Sequence, residues 1–170
     1  GAIAVIVDYA LMPEVRMAEI VEQVRRAKQW VLDNIAGHGG DPGRLSVSGH
    51  SAGAHLATFL FEKTPMPSRI HAALLLGGLY DLKPLQTSFL KPLIGITDEE
   101  AVAFTPMTRW HDPNTAATIV VGDQETPPFH QQAADFATLL RAQGHGVRNL
   151  CLDGRNHMNS VRDLGLSGTQ

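Results

Sequence analysis

Ser51 lies in Gly49-His50-Ser51-Ala52-Gly53, which matches the G-x-S-x-G pattern that sets a nucleophilic serine on a sharp turn between a strand and a helix. Small residues on both sides let the backbone crowd together without a Cβ clash, and Gly49, Ala52 and Gly53 supply that room. A hydroxyl at its ordinary pKa attacks carbonyls very slowly, so such a serine needs a base, and the base needs an acid to orient it. In parallel sheets, groups that cooperate in this way gather beyond the carboxyl ends of the strands. The search therefore narrows to residues just after apolar runs: Asp123 and Glu125 after the run ending at Val121, and His157 after the last one. Serine, acid and histidine in that order make acyl transfer the indicated chemistry.

These residues need elements to hold them. An apolar run over 45–47 enters the serine turn, and 54–61, with the composition of a buried helix, leaves it. Along the rest of the chain short apolar runs alternate with longer helical patterns, the signature of a parallel sheet covered by helices. Residues 2–7 are continuously apolar and read as a strand buried on both faces. Pro13 then begins a helix in which Met17, Val21, Val24, Val31 and Ile35 recur at helical spacing, until Gly37, Gly39, Gly40 and Asp41-Pro42-Gly43 end it. Further strands are predicted over 72–76, 118–121 and 147–152, with a helix over 129–141. The stretch 80–113 breaks this rhythm, with short helical pieces interrupted by Pro84, Pro92, Gly95 and Pro106; it reads either as a lid or pocket wall or as core under a loop.

Composition excludes several classes of partner. The 170 residues are 44% apolar and 18% charged, enough for one sizeable core, and the net charge of −3 with a pI near 6.2 offers no basic surplus for nucleic acid or an anionic membrane. A small neutral ligand fits better. The single cysteine, Cys151, forms no internal disulfide, and neither a C-x-x-C pair, a phosphate-binding glycine motif nor a bilayer-length apolar run is present. The first residues lack the basic start of a signal peptide, so a cytoplasmic location is expected. His111, His130 and His145 read as loop or surface residues, and Asp153 as a surface turn residue.

Several segments together carry a family likeness. Asp8-Tyr9 through Gly39-Gly40-Asp41-Pro42, then Gly49 to Gly53 with Ala54-His55-Leu56, resemble the arylformamidase and related esterase branch of the α/β-hydrolase superfamily. Gly78-Leu79-Tyr80-Asp81-Leu82 is similar to that branch's turn after the next strand, the segment from Glu125 to Gln132 to its acid segment, and Asn156-His157 to its histidine loop. The resemblance implies a three-layer α/β fold with a mainly parallel sheet, in one domain over 1–170. It makes Ser51 the nucleophile and His157 the general base, and it puts Glu125 rather than Asp123 in the acid position, immediately before Thr126-Pro127. Ala52 N–H would help bind the oxyanion, and His50, beside the nucleophile, is a candidate substrate contact. The implied substrate is a small carboxylic ester or aryl formamide, with no cofactor and no metal.

One departure from the branch matters. Its upstream His-Gly-Gly segment, a further source of oxyanion donors, precedes anything in this sequence, so an N-terminally truncated version of the fold is expected. His38-Gly39-Gly40 is no substitute, because it follows a helix and enters the strand before Ser51, at the far end of the sheet. Two expectations follow from this departure. The rival to a serine hydrolase is a non-catalytic remnant of the fold serving as a binding or assembly module, and the strand over 2–7 should be covered either by a second copy of the chain or by a polypeptide carrying the absent segment.

Overall fold

The structure, a computed structural model, describes residues 1–162. Helix α1 (Met17–Asn34) leads through two short 3-10 turns, Ile35–His38 and Pro42–Arg44, into strand β1 (Ser46–His50) and helix α2 (Ala52–Thr58). Strand β2 (Ala72–Leu76) is followed by a long connection holding the short helices α3 (Lys91–Ile94) and α4 (Asp98–Ala103). Then come β3 (Ala116–Gly122), α5 (Pro127–Ala142), β4 (Val147–Leu152) and α6 (Asn159–Arg162). The strands form one parallel sheet in the order β1-β2-β3-β4, flanked by helices.

Register follows from burial. Val47 pairs with Ala73, Ala73 with Ala117 and Ala117 with Val147, so one row of side chains crosses all four strands on one face. That face, with Leu75, Ile119 and Val121, packs against Ala54 and Ala57 of α2 and Ala133, Phe136, Ala137 and Leu140 of α5. On the other face Ser46, Ser48, Leu74, Thr118 and Arg148 line a groove of about 530 Å³.

Part of the long connection joins the core, while Phe89, Leu93, Val102 and Trp110 in it are exposed. Leu82, Ile96 and Ala101 bury themselves with Met17, Ile20, Val21 and Val24 of α1 and with Leu56 and Phe59 of α2, while Tyr80 joins the sheet's core. The connection is also tied down by polar contacts. Thr97 caps α4 in a capping box with Glu100, whose carboxylate also receives Arg16 and the Met17 N–H at the start of α1. Glu62 likewise joins Arg25 of α1 to Arg109 of the connection.

Two sequence expectations are corrected here. Residues 2–7 are not a strand: among the described residues β1 pairs with β2 alone, and a groove of about 990 Å³ is lined by residues 1–7, by α1 and by Ser46, Val47 and Ser48. The run is held off from the edge of β1, and with no ladder to join it leaves Ile6 93% exposed. His111 and His145 are buried rather than superficial. The ring of His111 meets Phe61 and Phe136, and its Nδ1 and the Nδ1 of His145 bond Gln143 Oε1 and the Thr115 carbonyl respectively.

Candidate active site

All four strands run the same way, so their carboxyl ends share one edge of the sheet, and each delivers one part of a cluster there. The ladder continues a step past the strands: Ser51 N–H donates to the Leu76 carbonyl (2.9 Å), Gly77 N–H to that of Val120 (2.8 Å) and Asp123 N–H to that of Leu152 (3.0 Å). The loops after the strands therefore start from fixed points.

Ser51 follows β1 with φ 55° and ψ −119°, a conformation that costs an L-residue of order 1–3 kcal/mol. Its neighbours are small because they must be. A Cβ on Gly49 would overlap the carbonyl of Gly53 and the amide of Ala54, where α2 turns back over β1. The Ser51 carbonyl accepts from the Ala54 and His55 N–H groups, which starts the helix, and the Ala52 N–H belongs to the first turn, where no intrahelical acceptor exists.

Glu125 follows β3. Its side chain is fully buried; Oε1 accepts from the Gly122 N–H (3.0 Å) and Oε2 meets His157 Nδ1 at 2.7 Å. Burial alone would raise this carboxyl, but the His157 and Gly122 hydrogen bonds outweigh it and hold the pKa below the usual carboxylate value. His157, on the loop after β4, turns its Nε2 to Ser51 Oγ at 2.9 Å. A carboxylate only accepts, so Nδ1 carries the proton and Nε2 presents its lone pair to the serine hydroxyl. The rings of Phe129 and His50 both lie 4.5 Å from the His157 imidazole.

The other candidates fall elsewhere. Asp123 is exposed and its Oδ1 accepts from the Arg155 N–H (2.9 Å); hydrogen bonds from the Gly154 backbone first, then from Arg155, keep its pKa low. It pins the turn before His157 instead of touching the imidazole. Asp153 is exposed in that turn. The ring of His50 is engaged, with Nε2 2.6 Å from the His157 carbonyl oxygen. His38-Gly39-Gly40 precedes β1, with Gly40 against Ile35 and Ile3, whereas Ser51 follows the other end of that strand. Among the described residues no group of three or more His, Cys, Asp or Glu side chains could hold a metal ion, and no helix is long and apolar enough to cross a membrane.

Sequence reasoning passed over three residues here. Gly77, with φ +48°, sits so close to the histidine–carboxylate pair that a Cβ would come within 2.9 Å of His157 Nδ1 and 3.1 Å of Glu125 Oε2. Gly122 is as tightly placed, since a Cβ there would overlap the Arg155 carbonyl. Gln132 Oε1 accepts from the N–H groups of both Tyr80 and Asp81 (2.7 and 2.9 Å), fixing the turn after β2. A glycine immediately after a strand was the available signal for the first two.

A family model described as alpha/beta hydrolase fold matches residues 1–159. The chain belongs to this family. Within it, the chain is 27% identical to a kynurenine formamidase of Danio rerio over 173 residues, 96% of this chain and 58% of that protein. It is 35% identical to the esterase LipQ of Mycobacterium tuberculosis over 92 residues, 48% of this chain and 22% of that one. Among solved structures, a Silicibacter sp. TM1040 protein provisionally classed as a thioesterase superposes with a TM-score of 0.75 at 26% identity, covering 91% of this chain and 56% of that one. The chain thus spans less than three-fifths of the length of the formamidase and of the solved hydrolase relative.

Proposed function

We propose that this chain carries the reacting groups of a serine hydrolase that cleaves small carboxylic esters or aryl formamides through an acyl-enzyme. The observation that supports this most directly is the unbroken hydrogen-bonded series from Ser51 Oγ to His157 Nε2 and from His157 Nδ1 to Glu125 Oε2. Ser51 Oγ attacks the substrate carbonyl carbon while its proton passes to His157 Nε2. The negative charge developing on the carbonyl oxygen is met by the Ala52 N–H, and the buried Glu125 carboxylate stabilises the imidazolium. As the C–O or C–N bond breaks, the leaving group takes the proton from Nε2 and Ser51 stays acylated. Water then attacks the acyl carbon, giving its proton to Nε2; collapse of that intermediate returns the proton to Ser51 Oγ and releases the acid.

The formamidase and esterase likenesses support the substrate class, and the half-buried position of Ser51 gives a small carbonyl compound access. The test is a fluorophosphonate probe followed by peptide mapping, with turnover of a short aryl ester measured alongside. Ser51 should be the labelled residue, and Ser51→Ala should lose both label and turnover while keeping its circular dichroism spectrum; full turnover in that variant would remove the reading.

A further inference from the structure

The loop that carries His157 hangs from an edge strand. Among the described residues β4 pairs with β3 alone, and two residues shortly before the histidine, Asp153 and Gly154, are exposed. An imidazole on such a loop holds its place only if its own backbone is anchored. On the near side Asp123 and Gln124 bond the backbone of Arg155, and Ser160 Oγ reaches the His157 carbonyl at 3.2 Å. On the far side the anchor comes from β1, three strands away: His50 Nε2 stands 2.6 Å from the same carbonyl oxygen. Residues 50 and 51 are adjacent, so one short piece of backbone grips residue 157 twice, His50 through the main-chain oxygen and Ser51 through the imidazole.

We infer that His50 is a positioning residue: its Nε2–H bond to the His157 carbonyl fixes the imidazole over Ser51, and it does not serve as a substrate contact. This rests on the serine hydrolase reading above. A carbonyl only accepts, so His50 carries its proton on Nε2. Burial lowers the pKa of His50 by more than its bond to the His157 carbonyl raises it, and the neutral ring leaves room for positive charge on His157 when it takes the serine proton. Without His50 the His157 carbonyl loses the shorter of the two side-chain bonds that the described residues give it, 2.6 Å against 3.2 Å from Ser160 Oγ, and an error of about 1 Å at the imidazole costs on the order of 100-fold in turnover.

The experiment compares the 170-residue protein with His50→Leu, His50→Gln and Ser51→Ala, using short-ester kinetics, the rate of fluorophosphonate labelling and the proton NMR signal of His157 Nδ1–H. Gln can place an amide N–H near the position of Nε2, so it is the conservative variant. His50→Leu should lower kcat and the labelling rate by about 10- to 100-fold with KM changed less than about twofold, and should broaden the Nδ1–H signal while the amide spectrum stays folded. His50→Gln should restore most of the rate and the signal. A raised KM at unchanged kcat in His50→Leu, an unaltered Nδ1–H signal, or a Gln variant as impaired as Leu would each overturn the inference. Should Leu fail to fold, His50→Ala takes its place, with the same losses expected and a wild-type rate and signal overturning the inference. If Ser51→Ala stays active while the signal still depends on His50, the clamp stands and the serine reading alone falls.

Discussion

Two acids follow β3 within three residues of each other, and side-chain length separates their work. Asp123 is short and bends back to the Arg155 N–H, while Glu125 reaches far enough to hold the Gly122 N–H with one oxygen and His157 with the other. Glu125→Gln should therefore lower kcat by about 10³-fold or more with little change in fold, because an amide N–H facing Nδ1 favours the wrong tautomer; stopped-flow acylation of the variant measures it. A loss of less than tenfold would show that the carboxylate orients nothing. The buried histidines set a different pH response. Burial lowers His55 and His111 to about 4 from 6.5, each ring lying under 4% exposed. Between those values the unfolded chain binds more protons than the folded one, so this stability is complete above pH 6.5 and is lost as pH falls toward 4. The loss approaches about 3 kcal/mol per residue. Urea midpoints at pH 7 and 4.5 should fall less far apart in His111→Gln than in the wild type; an equal fall would clear His111 of the effect.

At the scale of elements, close approach of backbone decides what can change. Gly49 is pressed against the first turn of α2 and Gly77 against the His157–Glu125 pair, but the two should fail differently. Gly49→Ala meets main chain that cannot step aside, and is expected to cost about 2–4 kcal/mol, read as a drop in thermal midpoint. Gly77→Ala meets side-chain ends as well as its own φ of +48°, so it should cut the rate of fluorophosphonate labelling further than its stability loss accounts for. Equal labelling rates in the folded fraction of both variants would contradict this. The elements themselves were largely legible. β2, β3, β4, α1 and α5 announce themselves through apolar runs and helical spacing, and the serine turn through its small residues. Residues 2–7 carry the same apolar signal without becoming a strand, because hydrophobicity says that a run wants cover and not which ladder it joins. His111 and His145 were illegible for a related reason, since the partners that make their burial tolerable, Phe61, Phe136, Thr115 and Gln143, come from other parts of the chain.

For the whole molecule, residues 3–11 carry one stretch of exposed apolar side chains. Ile3, Val5, Ile6 and Leu11 are each at least 45% exposed, and among the described residues β1 pairs on one side only. Produced alone, the 170-residue chain should self-associate with rising concentration, either through this surface or along the β1 edge. Light scattering coupled to size exclusion checks it, with a constant mass of 18.4 kDa across the range as the contrary result. The shared carboxyl edge of the parallel strands has a different consequence. Ser51 follows β1 and His157 follows β4, with β2 and β3 between those strands, so their 2.9 Å separation adds up three interstrand registers. A slip of one residue in any of them shifts a strand by about 3.3 Å, more than a hydrogen bond tolerates. The serine is in effect a gauge of sheet alignment. Its reactivity toward a small electrophile should vanish along the same denaturant curve as the whole fold, with no partly misaligned population that still reacts.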